Sequence, residues 1–293
     1  MGQKNPLTDA LLKDAVAIIT GAGQGLGRTY AQSLLDHGAR VVISDLGTNR
    51  AGEGASMDVI AEAGRTLRAD NGQLITHNGR LDNEDGCREL VELAITHFGK
   101  LDILIHNAGW VDYQRIEDQS DDFLERAIGI NVRAPIWLSK YAWPYLKHSS
   151  SPRIVLNTSD RALFQQYAQP GLVAYAAGKM AQVGIMNALS LEGEQHGILV
   201  NAISPVAKTR MWGSMPSPEN LKPEWVAPGV VYLASPLCHD TGYILRASNG
   251  HFTATRFCEN PGVVYPTDLA RVECENVVDV ARQWQQIKEC EYA

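Results

Sequence analysis

Short apolar runs alternate with longer amphipathic stretches along most of the chain. Val16-Ala17-Ile18-Ile19-Thr20, Arg40-Val41-Val42-Ile43-Ser44, Gln73–His77, Leu101–His106, Arg153–Thr158 and Leu199–Ile203 are near-continuous runs rich in Val, Ile and Leu. Runs of that length without strict polar alternation predict parallel strands buried on both faces. Between them, apolar positions spaced three and four apart predict helices near 28–35, 58–69, 83–98, 121–146, 172–195 and 224–234. Asn83 reads as an N-cap and Gly99 as a stop signal. Pro135 and Pro144 predict a bend or break in the long helix over 121–146. Residues 46–57 read as a Gly-rich loop, and 209–221, rich in Pro and Ser, as a mobile loop or lid. Gly242–Arg246 is the last expected strand, followed by an extension with a helix near 277–288. Regular strand–helix alternation predicts an α/β fold: a doubly wound parallel sheet in three α/β/α layers. Its ligand crevice lies at the carboxyl ends of the strands. With no internal repeat and no composition shift, one domain is expected over 1–250, with an extension, 251–293, packed on it.

Composition narrows the classes. The net charge of −7 and the lack of a basic stripe exclude a nucleic-acid footprint. No apolar run reaches the length of a membrane span, and residues 1–14 lack the apolar core of a signal peptide. Five scattered cysteines, with no CxxC, point to a reduced, cytoplasmic protein without a disulfide framework. The eight histidines show no HExxH spacing, so no metal is expected.

Candidate chemistry gathers at the expected crevice. The first strand runs into Thr20-Gly21-Ala22-Gly23-Gln24-Gly25-Leu26-Gly27 and then a helix. Glycines permit the sharp turn, and the helix N-terminus offers free N–H groups to a phosphate. Asp45 ends the second strand, where a carboxylate accepts ribose hydroxyls and repels a 2′-phosphate, favouring NAD while leaving NADP possible. Arg50, in the following loop, softens that discrimination. Asn107-Ala108-Gly109 follows the fourth strand, its small residues admitting a cofactor close to the backbone. Tyr175 and Lys179, four apart, share one helix face. A phenol next to an ammonium becomes a usable acid/base, Ser159 offers a donor to a reacting oxygen, and Asn131 can hold a relay water.

Together these residues resemble the short-chain dehydrogenase/reductase family, over about residues 10–250. The resemblance implies a Rossmann-type fold, a small-molecule substrate, and a homodimer or homotetramer. It makes Tyr175 the acid/base, Lys179 its activator and ribose ligand, Ser159 the substrate-oxygen ligand and Asn131 part of a proton relay. It places Gly21, Gln24, Gly25, Leu26, Gly27, Asp45, Asn107, Ala108, Gly109, Tyr175, Lys179 and Pro205 at the cofactor. Asp45-Leu46-Gly47, Pro205 through Thr209-Arg210-Met211, 221–228 and 242–250 with Thr255-Arg256 are similar to the (3R)-hydroxyacyl-CoA dehydrogenase domains of peroxisomal multifunctional enzymes.

Several positions depart from the family pattern. Tyr175 follows Ser159 by sixteen positions, about three more than the family spacing, which enlarges the segment 160–170. Asp160 and Arg161 stand where small residues are usual, putting charge next to the reacting carbonyl. Val206 replaces the usual glycine after Pro205, and Leu81 takes the place of the adenine-reading Asp, with Asp82 adjacent. Trp110, Phe164, Tyr167, Met211, Trp212 and Met215 are candidate walls of a bulky, partly apolar substrate pocket. The expected reaction is NAD(H)-dependent interconversion of a secondary alcohol and a ketone, on a 3-hydroxyacyl-CoA-like or a bulky biosynthetic substrate. Two alternatives share the scaffold: a non-redox cyclase or isomerase using Asp160 and Arg161, and a non-catalytic NAD-binding protein.

Overall fold

The structure, a computed structural model, describes residues 10–208, 221–270 and 272–288. Strands β1 (Val16–Thr20), β2 (Arg40–Ser44), β3 (Leu74–His77), β4 (Ile103–His106), β5 (Arg153–Asn157), β6 (Leu199–Val206) and β7 (Ile244–Ser248) form one sheet, ordered β3-β2-β1-β4-β5-β6-β7. All these neighbours are parallel, with Ile18 facing Val42 on one side and Leu104 on the other. Every residue of β1, β4 and β5 is buried, which is why these runs carry no polar alternation.

The pleat divides β1 between two cores. Ala17 and Ile19 pack in a layer with residues of α1 (Gly25–Asp36) and α8 (Ala227–Ala234). Val16 and Ile18 pack in the opposite layer with α3 (Glu84–Phe98), α5 (Ala134–Leu146) and α7 (Val173–Gly193). α2 (Met57–Thr66) lies against β3, and the single turn α6 (Asp160–Leu163) lies against α7. The Asn83 side chain caps α3 by accepting from the Gly86 N–H, and Gly99 ends it at φ +76.

Two elements differ from expectation. The stretch 121–146 is not one helix but α4 (Asp121–Ile128), a π-helical turn (Gly129–Arg133) and α5. Pro135 has no N–H to donate to the preceding turn. The carbonyl of Ile130 accepts instead from His106 Nε2 at 3.0 Å. The π turn carries Asn131. The sheet also gains an antiparallel edge strand, β8 (His251–Thr255), so Gly242–Arg246 is not the last strand. Its hairpin turns on Asn249 (φ +51) and Gly250 (φ +76), the pair of positive φ values that suits an Asn-Gly turn between twisted strands.

The chain divides into two compact units, Met1–Thr255 and Arg256–Ala293. The first contains the whole sheet; the second contains α9 (Val277–Lys288). No helix among the described residues is long and apolar enough to cross a membrane.

Candidate active site

A cleft of about 1290 Å³ runs along the carboxyl ends of the strands. It opens where strand order reverses, between β1 and β4. At its centre, Gly21 has φ +63, and a Cβ there would approach the Ala108 Cα to 2.8 Å. A Cβ on Gly27 would meet the Gly21 carbonyl oxygen and sit 2.6 Å from Asn107 Nδ2. Glycine at both positions lets α1 start against the strand. Gln24, its N-cap, makes no side-chain cap, and Gln24, Gly25 and Leu26 line the cleft.

Asn107 ties three strand ends together. Its Nδ2 donates to the carbonyls of Thr20 (3.1 Å) and Gly21 (3.0 Å), while its Oδ1 accepts from Asn157 Nδ2 at 3.0 Å. Thr20 Oγ1 accepts from the N–H groups of Asn107 and Ala108 at 3.1 and 3.0 Å. Its own proton goes to His106 Nδ1, 3.1 Å away. Burial pushes the His106 pKa down to about 3, so the ring is neutral. Its single proton then sits on Nε2, since the Ile130 carbonyl can only accept. The Asn107 side chain, the Thr20 hydroxyl and both His106 ring nitrogens thus all have partners.

Asp45 stands at the end of β2, its Oδ2 accepting from Gly23 N–H (2.9 Å) and its Oδ1 from Gly47 N–H (2.8 Å). The loop after it is clamped over the cleft. Arg126 Nη1 donates to the Ala51 carbonyl at 2.6 Å, and the guanidinium lies 5.2 Å from the Trp110 ring centre. Gly52 fits against the same indole, where a Cβ would approach ring atoms to 2.8 Å. Trp110, expected in a substrate wall, is buried and packs edge-on against Phe123 at 4.7 Å. Arg50 is exposed. Leu81 and Asp82 both line the cleft, with Asp82 ion-paired to Arg80.

The reacting end is built on β5, α7 and the π turn. Lys179 is buried and donates from Nζ to the Asn157 carbonyl at 2.6 Å. Burial pulls its pKa down to about 7. Its ammonium lies 6.0 Å from the Tyr175 ring centre. Tyr175 is half-buried, and desolvation raises its pKa, opposed by a hydrogen bond with Ser159 and by the charge of Arg161. Asn131 is fully buried; its Nδ2 donates to the Trp110 carbonyl at 3.3 Å, while its Oδ1 has no partner. A Cβ on Gly109 would sit 3.0 Å from both Asn131 Oδ1 and Lys179 Nζ. An unsatisfied acceptor and an ammonium thus converge beneath a residue without a side chain, a fitting place for a water with two polar partners.

Two expectations change here. Asp160 does not present its charge to a reacting carbonyl. Arg246 binds its carboxylate through Nη2 (2.7 Å) and Nε (3.0 and 3.1 Å), and Ser204 Oγ donates at 2.7 Å. A carboxylate so engaged is a structural anion. Phe164 stacks on that arginine at 4.5 Å and so serves the ion pair, while Tyr167, edge-on to Phe164 at 6.0 Å, lines the cleft. Pro205 and Val206 remain in β6, paired with Ala247 and Ser248, so the substitution of valine for glycine extends a strand. Met211, Trp212 and Met215, and the lid expected over 209–221 except Leu221, lie outside the described residues. The sequence reading missed Thr20, Asn157 and Arg246. For Thr20 and Asn157 the available signal was a polar residue closing a strand at the cleft.

Residues 15–220 match the short chain dehydrogenase family. A short-chain type dehydrogenase/reductase of Mycobacterium tuberculosis is 32% identical over 94% of each chain. Peroxisomal multifunctional enzyme type 2 of Drosophila melanogaster is 33% identical over 90% of this chain, which spans only 44% of that protein. A solved short chain dehydrogenase from Mycobacterium avium shares the fold, with a TM-score of 0.77 at 24% identity, covering 96% of this chain and 97% of that one. With the family match running from β1 beyond β6 and through the glycine turn, Asp45, Asn107, Asn131, Ser159, Tyr175 and Lys179, the chain belongs to the short-chain dehydrogenase/reductase family of oxidoreductases.

Proposed function

We propose that this protein interconverts a secondary alcohol and a ketone with NAD(H), and that Tyr175 is the acid/base. The observation that carries the reading is the convergence of Ser159, Tyr175, Lys179 and the unsatisfied Asn131 Oδ1 at one end of the cleft. The glycine turn, the free first turn of α1 and Asp45 fit a dinucleotide in the remainder. When bound, the nicotinamide supplies the hydride acceptor for oxidation and the donor for reduction. In the oxidative direction Ser159 holds the alcohol oxygen and the Tyr175 phenolate removes its proton as the carbinol carbon gives up hydride. The product is the ketone. The proton leaves along the Lys179–Asn131 side, where a water bridges Lys179 Nζ and Asn131 Oδ1. Burial, and to a lesser degree Tyr113, raise the Tyr175 pKa against the Ser159 hydrogen bond and the Arg161 charge, so its ionisation also calls on Lys179 and the cationic oxidised cofactor. Asp160 is held by Arg246 and is not free to be the acid of a non-redox reaction.

Asp45 favours NAD, because its carboxylate lines the cleft at the end of β2, where a 2′-phosphate would meet its charge. NADP binds in second place. A homodimer or homotetramer is the expected assembly, and the buried free thiols Cys87 and Cys238 support a reducing, cytoplasmic setting. The test is a panel of secondary alcohols and ketones, followed by the absorbance of reduced nicotinamide, with NAD and NADP run in parallel. NAD-linked turnover of at least one pair, about tenfold or more above NADP, is expected from one charge–charge clash. A preference for NADP overturns the role of Asp45.

A further inference from the structure

Two guanidinium groups line the reacting end of the cleft, and only one is neutralised. Arg246 is paired with Asp160. Arg161, the next residue, donates from Nη1 to the Tyr113 hydroxyl at 2.7 Å, and that hydroxyl donates to Gln169 Oε1 at 2.9 Å. The Gln114 N–H to Gly171 carbonyl bond, 3.0 Å, anchors the segment next to Tyr113. Among the described residues no carboxylate is within ion-pair distance of Arg161, and its other N–H donors have no protein partner. Asp160 cannot turn to it without leaving Arg246 and Ser204. The other cleft carboxylates, Asp45, Glu53, Asp82, Asp122 and Glu125, stand on the loops after β2 and β3 and on α4. The Arg161 charge also acts on Tyr175, which places it close to the reacting group.

A fixed, half-buried guanidinium without a counter-charge is a preorganised anion receptor, because its planar fork matches a carboxylate bidentately. We propose that the substrate carries a carboxylate on the same fragment as the carbinol, and that Arg161, braced by Tyr113 and Gln169, binds it while Ser159 and Tyr175 hold the reacting oxygen. The substrate class is then a hydroxy acid and its oxo acid, not a neutral thioester. This inference rests on the redox reading above.

The test compares (3R)-3-hydroxyoctanoate, its methyl ester and its coenzyme A thioester with NAD, on wild type, Arg161→Gln and Arg161→Lys. Turnover follows reduced nicotinamide; binding to the NAD complex is read separately by calorimetry. The acid should be favoured over the ester by about tenfold or more, the scale of one charge-assisted pair. Arg161→Gln should abolish that ratio, and Arg161→Lys should keep part of it. Because the ratio is taken within each enzyme, any effect of Arg161 on Tyr175 cancels. An acid-to-ester ratio near one in wild type, or one that survives Arg161→Gln, overturns the proposal while leaving the redox reading intact. A thioester favoured over the acid and weakened by Arg161→Gln assigns the guanidinium to phosphate and also overturns it. If no probe turns over but the acid binds in an Arg161-dependent way, the anion site stands and the redox reading fails. Absence of acid binding overturns the site.

Discussion

Lys179 is the residue whose burial costs most for the sake of chemistry. An amine with a folded-state pKa of about 7 is depressed far below its unfolded value of 10.5. Between those two values the unfolded chain binds the extra proton, so this group's penalty falls as pH rises from about 7 to about 10 and is constant below about 7. Lys179→Met removes both the penalty and the activator. At pH 7 it should raise stability by about 1 kcal/mol, a shift of a few degrees in Tm, while turnover disappears. The stability gap to wild type should shrink at pH 9; melting curves at both pH values check this. The position and type of Lys179, Tyr175, Ser159, Asn107 and Asp45 were readable because each sits at a strand end or a helix spacing dictated by the fold. The direction of Asp160 was not, since its partner Arg246 lies 86 residues away and only the folded sheet brings them together. Arg161 owes its lack of a counter-charge to that same remote pairing.

At the scale of elements, apolar periodicity found each parallel strand because burial on both faces leaves no polar alternation to confuse with a loop. It did not find β8, whose face is largely exposed and whose residues, His251–Thr255, carry little hydrophobic signal. The Asn249-Gly250 pair was the cue that marks that hairpin. Likewise Pro135 announced a break in the helix over 121–146, but a π turn holding Asn131 over Lys179 depends on the bond from His106, on another element. The glycine turn is the least forgiving element. Gly27→Ala would put a methyl group into the Gly21 carbonyl and Asn107 Nδ2. Relief requires α1 to move off β1, so NAD affinity should fall at least tenfold and stability by about 1–3 kcal/mol, from overpacking. Calorimetric titration with NAD and urea unfolding measure the two effects.

For the molecule as a whole, α5 and α7 present Ile136, Tyr145, Met180 and Leu191 to solvent within one chain. Apolar groups on two long neighbouring helices support a homodimer or homotetramer, and sedimentation equilibrium should return two or four times the chain mass of 32.1 kDa. A monomer at micromolar concentration contradicts that assembly. The central claim is that the cleft performs hydride chemistry through Tyr175, and its most direct measurement is Tyr175→Phe on the best substrate pair found with NAD. The substitution removes only the hydroxyl that moves the proton. Turnover should fall by about 10²–10⁴-fold, the range for loss of a general acid/base, with the Kd for NAD within about threefold of wild type. Turnover at the wild-type rate, with NAD still bound, would contradict the account.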